Sequence, residues 1–567
     1  MVEVRAERAS RQPVRGAPGR LLGLLALAAV PTAVLGVFFL LPVAGMLQRG
    51  LFPQGAFDPG AVLDVLARPR TGRVVWFTVW TSTVATLASV VLGLPAAYVL
   101  HRLAFPLRGA VRAALLVPFV LPTVVVGVAI RQLLADSGPL GFLGLDGTPA
   151  AIVLGLVFFN VALVIRTVGA AWESLDRRPG EAAAALGASP WRVLTTVTLP
   201  ALRPAIVSAA SVVFLFCATA FGVVLTLGGT RYASVETEIY LLTTDLLDLP
   251  GAAALSIVQL VAVVVLLVVA ARLRAVPDPT VRRTTAPAVR PRLGDLPAVA
   301  LTAALLVAVA APVVGLVVAS FRRDGGWTLE YYRALSGAGV DDSGLGGGLV
   351  RVPVLEALGN SVRIAVDATW MALLLGLLVA VVVTRRSRTT LEQRVRGLFD
   401  GLFMLPLGVS AVTLGFGFLI TLDEPPVDLR SSPLLVPIAQ ALVALPLVVR
   451  LLVPVLQGID DRQRQAAASL GAGPLRAVAT VDVPLLWRPL LAAAGFAFAA
   501  SLGEFGATTF IVRPEVPTLP VVIFRLIGHP GPLNYGTAMA ASVVLAATIA
   551  VVVLLVERLR VPALGVW

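Results

Sequence analysis

The sequence contains no lysine, so its 45 basic residues are all arginine, set against 32 Asp and Glu for a formal net charge of +13. A P-loop needs a lysine to reach nucleotide phosphates, in the pattern Gly-x4-Gly-Lys-Ser/Thr. Without one, the chain has no standard Walker A motif. No catalytic residue and no cofactor site are expected, and any ATP hydrolysis falls to other chains. A single cysteine, Cys217, excludes an intrachain disulfide and a cysteine-based metal site. It lies in an apolar run and reads as a small packing residue. His101 and His529 are isolated from each other and form no metal site. Charge is scarce altogether: 14% of residues, where a soluble domain carries roughly 25%. With 58% hydrophobic residues, that scarcity excludes a large soluble core. No basic soluble domain exists to hold a nucleic acid, so none is expected as a partner.

What the chain has instead is apolar runs. A spanning helix needs about 20 mostly apolar residues. Twelve candidate spans cover 21–46, 75–100, 113–134, 151–170, 204–227, 252–271, 297–320, 360–384, 401–421, 433–456, 489–512 and 534–556. The first run follows five arginines, is too long for a signal-peptide core, and reads as an uncleaved span. Short cytoplasmic loops are enriched in arginine. The N-terminus, the loop with Arg102, Arg108 and Arg112, the 272–296 segment, the loop with Arg385–Arg396 and the C-terminal tail are basic. Loops on the other side lack Arg or balance it with acids such as Glu236, Glu238, Asp245 and Asp248. The exception is 47–73, with Arg68, Arg70 and Arg73. The expectation is a multi-pass protein of the bacterial plasma (inner) membrane, embedded in the lipid bilayer, with both termini cytoplasmic.

The chain repeats itself. Glu181-Ala182-Ala183, Gly187 and Leu199-Pro200 recur as Gln465-Ala466-Ala467, Gly471 and Val483-Pro484, 284 positions on. At the same offset Leu121-Pro122 meets Leu405-Pro406, Arg166 meets Arg450, and Leu175-Asp176 meets Ile459-Asp460. Beyond Pro200, Arg203-Pro204 matches Arg488-Pro489, which implies one inserted residue. Each half holds six spans, an even number, so the repeat is parallel about an axis along the membrane normal. The expected organisation is a first transmembrane domain over 1–271, a cytoplasmic linker over 272–296 and a second transmembrane domain over 297–567. Gly344 and Gly346–Gly348 suggest flexibility in the outer loop 321–359.

Both copies of the duplicated segment fall in expected cytoplasmic loops. Within the first, the Ala-rich run favours helix, and Gly187 suits a helix C-terminus that needs positive φ. Ser189-Pro190 reads as the N-cap and first residue of a second short helix, with Gly473-Pro474 in its place in the other copy. Pro200 and Pro484 are expected to stop each second helix. A loop packing only on its own protein is the competing explanation, which duplication with fixed punctuation disfavours.

Glu-Ala-Ala-x-x-x-Gly with a hydrophobic-Pro pair thirteen residues after the glycine resembles the "EAA" loop of binding-protein-dependent ABC importer permeases. The resemblance covers nearly the whole chain as two permease halves. It implies an all-α polytopic membrane protein of about 12 transmembrane helices in two parallel six-helix permease repeats, the type I ABC importer permease fold. It also implies two ABC ATPase subunits inside and an extracytoplasmic solute-binding protein outside. In that family the loop is a coupling helix docked on each ATPase. Carried over, Glu181, Ala182, Ala183, Gly187 and Pro200 belong to the first dock, and Gln465, Ala466, Ala467, Gly471 and Pro484 to the second. Gln465 in place of Glu implies two unequal docks; one exposed salt bridge is worth only about 0–1 kcal/mol.

Polar groups inside spans are costly and mark candidate sites. Glu504, in Ser501-Leu502-Gly503-Glu504-Phe505-Gly506, either lines the path and meets a cationic cargo or makes a structural hydrogen bond to a neighbouring helix. Ser501 and Asn160 are further path candidates. Arg166 and Arg450 read as snorkelling or capping groups, and Arg363 and Asp367, four apart, as a pair. The single-chain, two-half arrangement is similar to thiamine and ferric-iron permeases. Leu225–Gly229 with Glu238-Ile239-Tyr240 resembles both, and Thr518-Leu519-Pro520 with Ile523 and Ile527-Gly528 the thiamine type. Gly503–Thr508 also resembles molybdate and sulfate permeases. Thiamine is the first expectation for cargo, ferric iron the second and an oxyanion the third. An ion-coupled secondary transporter is the alternative of another class; it leaves the duplicated loop unexplained.

Overall fold

A computed structural model describes residues 18–52, 55–115, 118, 120–229, 231–273, 288–337, 352–384, 390–404, 406, 409–422, 429–459, 461–473, 476 and 478–558. Among the described residues, ten helices are long and apolar enough to cross a membrane, and two shorter apolar helices, Thr123–Leu134 and Ala411–Thr421, complete a set of twelve. Helix is the form these segments must take, because lipid offers no partner for an open backbone N–H or C=O. Hydroxyls inside the spans turn back on their own helix, as Thr78 and Thr86 do in donating to the Val74 and Ser82 carbonyls.

The repeat holds in three dimensions at the offset read from the sequence. Leu199–Ala218 and Val483–Leu502, 20 residues each, keep that offset at both ends, so the expected one-residue insertion is not present. Each is preceded by a five-residue π turn, Leu194–Thr198 and Val478–Asp482. These turns explain a second departure from expectation. Pro200 and Pro484 lack the N–H that continues an α ladder. Instead of stopping the chain, each sits just past a π turn, and the helix runs on.

Four of the expected spans are broken. Segment 113–134 is the end of Arg108–Ala114 and then, after Pro122, Thr123–Leu134. Segment 401–421 divides into Thr390–Met404 and Ala411–Thr421, the latter capped by Ser410, which accepts from the Thr413 N–H at 3.0 Å. Segments 204–227 and 489–512 are the ends of the 20-residue helices followed by the short buried helices Gly222–Gly228 and Thr508–Ile511. All four breaks border one central cavity, where irregular backbone at membrane depth is tolerated.

The two halves are interlocked. Leu296–Ser320, first helix of the second half, packs on Pro69–Arg102 and Thr123–Leu134 of the first. Pro18–Leu35 and Leu41–Leu51 pack in turn on Val354–Thr384 and Ala411–Thr421. The described end of the linker is pinned beside the first half. The Val289 N–H donates to the Arg102 carbonyl (2.9 Å) and the Ala104 N–H to the Val289 carbonyl (2.8 Å). Residues 274–287 and the glycines at 344–348 lie outside the described residues. In the loop after Ser320, Arg322–Arg323 and Gly326–Trp327 form a small antiparallel hairpin.

The apolar core is unevenly shared along the bundle. At the end away from the duplicated loops, one cluster crosses between halves, joining Phe221 and Ile239 to Phe416, Phe505 and Leu519. A second cluster joins Val161, Val168 and Leu202 to Leu305 and Val309 of the second half, a third joins Leu35 and Phe39 to Leu375 and Phe403, and a fourth, with Val448, Leu452 and Leu486, lies within the second half. Apolar contact between the halves is thus not confined to one end of the bundle.

Candidate functional site

The duplicated loops take the same conformation twice. Helix Arg178–Ala185 ends at Leu186, and Gly187 follows at φ +87°. The Gly187 N–H donates to the Ala184 carbonyl (3.0 Å) and the Ala188 N–H to the Ala183 carbonyl (3.1 Å), closing a Schellman motif. In the second copy, helix Asp461–Ser469 is followed by Gly471 at φ +81°. The same two bonds run from Gly471 to Ala468 and from Ala472 to Ala467, both 3.0 Å. A side chain in this left-handed conformation is strained, which is what the two glycines avoid. Ser189 caps the next helix, its Oγ accepting from the Arg192 N–H at 3.3 Å. Pro474 lies outside the described residues.

Glu181, Ala182, Gly187 and Pro200 are exposed, as are Gln465, Ala466, Gly471 and Pro484; Ala183 and Ala467 are half-buried. The sequence reading missed the most prominent residues of these loops. Leu186 and Leu470, the residues that end each helix, are both 89% exposed. Trp191 is exposed beside the first. A large apolar side chain between an Ala run and the glycine, at the same place in both copies, was the available signal. Inboard of the first loop, Glu173 anchors the corner by accepting from Arg108 (2.8 Å) and Arg112 (2.5 Å). Both arginines also donate to the Leu100 carbonyl.

Between the halves lies a cavity of about 500 Å³, within the range of roughly 300–1,000 Å³ usual for small-molecule sites. Its walls are mainly apolar, with Phe159, Phe216, Phe221, Phe496 and Phe505 among them. Of the three path candidates, Asn160 and Glu504 line it. Ser501 is buried and does not belong to the lining. Asn160 is held to its own half, its Nδ2 donating to the Leu156 carbonyl (2.9 Å) and lying 3.4 Å from Cys217 Sγ. Arg450 lines the cavity and Arg166 does not.

Glu504 is 7% exposed, and its carboxylate is taken up by its own loop. Oε1 accepts the Ala507 N–H (2.7 Å); Oε2 accepts the Thr508 N–H (3.0 Å) and the Thr508 hydroxyl. The carboxylate therefore caps the short helix Thr508–Ile511, where a negative charge at the N-terminus is favourable. Gln440 Nε2 extends the network to Thr508 at 3.3 Å. These bonds run to its own loop, not to a neighbouring helix, and Glu504 borders the cavity at the same time.

Acids expected in an outer loop sit on a short buried helix, Val235–Thr244. Glu238 makes a bidentate pair with Arg70 (2.5 and 2.9 Å), and Asp248 pairs with Arg68 (2.7 Å). Two of the three arginines that broke the charge pattern of the loops are thus balanced by acids about 170 to 180 residues away in the chain. Burial works to raise the Asp248 carboxyl, but Arg68 and the Gly251 N–H outweigh it and hold it below the usual carboxylate range. Glu236, fully buried, accepts from Gln259 within its own half and from Ser410 of the other half at 2.9 Å. The expected Arg363–Asp367 pair does not form; Asp367 lies 3.4 Å from the Trp370 indole nitrogen instead.

Comparison with known proteins agrees with this two-fold construction. A family model described as "binding-protein-dependent transport system inner membrane component" matches twice, over residues 89–283 and 372–561. The chain is 29% identical over 550 residues to the thiamine transport system permease protein of Brucella abortus (strain 2308), covering 93% of this chain and 94% of that one. It is 27% identical over 472 residues to the corresponding protein of Escherichia coli (strain K12), covering 80% and 83%. A shorter match, 35% over 171 residues, is to the molybdenum transport system permease protein of Azotobacter vinelandii, covering 28% of this chain and 76% of that one.

Proposed function

The chain belongs to the family of binding-protein-dependent transport system inner membrane components, and from that premise we propose that it carries thiamine inward through the cavity between its halves. It is the multi-pass membrane permease of an ABC importer, with both permease domains in one chain. The observation that carries the cargo is full-length similarity to two thiamine permeases, with 80% or more of each chain covered. A cavity lined by several phenylalanine rings suits a flat heteroaromatic cation, which gains from stacking and cation–π contact.

In this reading the duplicated loops are the docks for two ATPase subunits, and both termini share their side of the membrane. Leu186 and Leu470 are the apolar knobs of the docks; Glu181 and Gln465 make the two unequal at the rim. The first permease domain spans 1–271, the joint 272–296 and the second 297–567. A solute-binding protein delivers cargo at the far end. Residues 272–296 join halves that interlock in space, so both docks belong to one chain.

The test is uptake by proteoliposomes holding the chain with its ATPase and binding protein. ATP-dependent accumulation of labelled thiamine, absent without the binding protein, is expected. Accumulation of ferric iron or molybdate in place of thiamine would overturn the cargo, and uptake independent of ATP would overturn the machine.

A further inference from the structure

The helix that follows each duplicated loop runs without interruption from its π turn to the edge of the central cavity. Leu199–Ala218 and Val483–Leu502 both end there, and the chain breaks before a short buried helix. Twenty residues at 1.5 Å each make this about 30 Å of rigid rod. In both halves the break carries a phenylalanine, Phe221 and Phe505, at the same position of the repeat. Their rings stack across the seam with centroids 5.3 Å apart and planes 17° apart.

Each ring is backed by an aromatic ring of its own half, again at matching positions. Phe221 packs on Tyr240 (5.4 Å) and Phe505 on Phe524 (5.3 Å). Tyr240 and Phe524 stand on the short helices Val235–Thr244 and Leu519–Ile527. A hydroxyl from the long helix of the same half holds the start of each: Thr78 accepts from the Val235 N–H (2.9 Å) and Ser361 from the Leu519 N–H (2.7 Å). The ring that backs each is thus of its own half, while the helix that carries Tyr240 is also bonded across the seam, Glu236 accepting from Ser410 (2.9 Å). Across the seam Phe221 and Phe505 meet chiefly each other, and Tyr240 meets the edge of Phe510 (5.6 Å) and the Thr509 side chain.

We infer that Phe221 and Phe505 are the gate that closes the cavity at the end away from the duplicated loops. This rests on reading the cavity as the permeation path. Two rings, each backed by its own half and held to each other by stacking, separate when the halves move, without breaking bonds inside either half. Phe221 and Phe505 both line the cavity wall, so their stack closes that wall in the state seen here. The 20-residue helices connect it directly to the loops, so that a displacement of a loop reaches a gate ring through one continuous element.

The experiment uses proteoliposomes with the complete transporter, preloaded with labelled mannitol or labelled thiamine and held without ATP. The double variant Phe221→Ala, Phe505→Ala is expected to raise passive efflux of both solutes about tenfold or more, the rate effect of a barrier lowered by one decade. The double variant Phe221→Leu, Phe505→Leu, which keeps apolar bulk, stays tight. An assembled alanine variant as tight as the wild type overturns the gate. Should that variant fail to assemble, Phe221→Cys in a Cys217→Ser background decides. A membrane-impermeant thiol reagent applied on the binding-protein side is expected to label it only when ATP, vanadate and binding protein trap the transporter. Equal labelling in the resting state overturns the gate. Mannitol leakage from the alanine variant, with no thiamine uptake by the wild type, would sink the cargo and leave the gate standing.

Discussion

Replacing Glu504 with alanine removes the acceptor of three donors at once: the N–H groups of Ala507 and Thr508 and the Thr508 hydroxyl. The hydroxyl retains Gln440 as a neighbour at 3.3 Å, so the two N–H groups carry most of the loss. A buried donor left without a partner costs about 1–3 kcal/mol, which puts Glu504→Ala at about 2–6 kcal/mol. Glu504→Gln keeps one carbonyl acceptor and turns an amide NH2 toward a donor, which puts it at about 1–3 kcal/mol. Thermal unfolding of the purified protein in detergent, followed by tryptophan fluorescence, is expected to rank wild type above Gln above Ala. Uptake by the Gln variant should fall only as far as its stability does, because the carboxylate serves its own loop. A Gln variant with wild-type melting and no uptake would show that the charge meets the cargo. An alanine variant with wild-type melting would refute the capping role itself.

Three further outcomes follow from the same geometry. Gly187→Val and Gly471→Val force a β-branched residue to φ near +80°, at a cost of roughly 1–3 kcal/mol each; the chain should insert normally, while ATP hydrolysis by the assembled transporter loses its link to uptake. Arg70→Met strands the buried Glu238 carboxylate; with the arginine itself half exposed, a loss of about 1–3 kcal/mol in unfolding stability is expected, recovered in large part by adding Glu238→Gln. The Asp248 carboxyl is held below its ordinary value, so its contribution is complete above the ordinary carboxylate range and is lost as pH falls through the lowered value. Melting temperatures of wild type and Arg68→Gln should therefore differ at neutral pH and converge in acid.

The duplicated loop was legible residue by residue. Gly187 and Gly471 stand where a helix end needs positive φ, and Ser189 caps the helix it precedes. Those features are local, set by backbone sterics within a few residues. The repeat offset was equally plain, because it needs no knowledge of contacts. The broken spans were not. Gly222–Gly228 and Thr508–Ile511 are as apolar as a spanning helix, so hydropathy ran through the breaks before them. Nor could sequence pair Arg70 with Glu238 or Arg68 with Asp248, since those bonds depend on how two distant loops meet. Glu504 was legible as an unusual acid, but its role turned on donors three and four residues ahead. Pro200 and Pro484 misled because a π turn absorbs the missing donor.

The central claim is that both duplicated loops dock on ATPase subunits. Site-directed cross-linking tests it most directly, in a Cys217→Ser background with Leu186→Cys or Leu470→Cys and a short thiol-to-amine cross-linker. Each cysteine is 284 positions from the other and stands on an exposed helix end. The account predicts that both variants cross-link to a co-expressed ATPase subunit. Insertion of the chain with no cross-link from either position, in the presence of that ATPase, would contradict it.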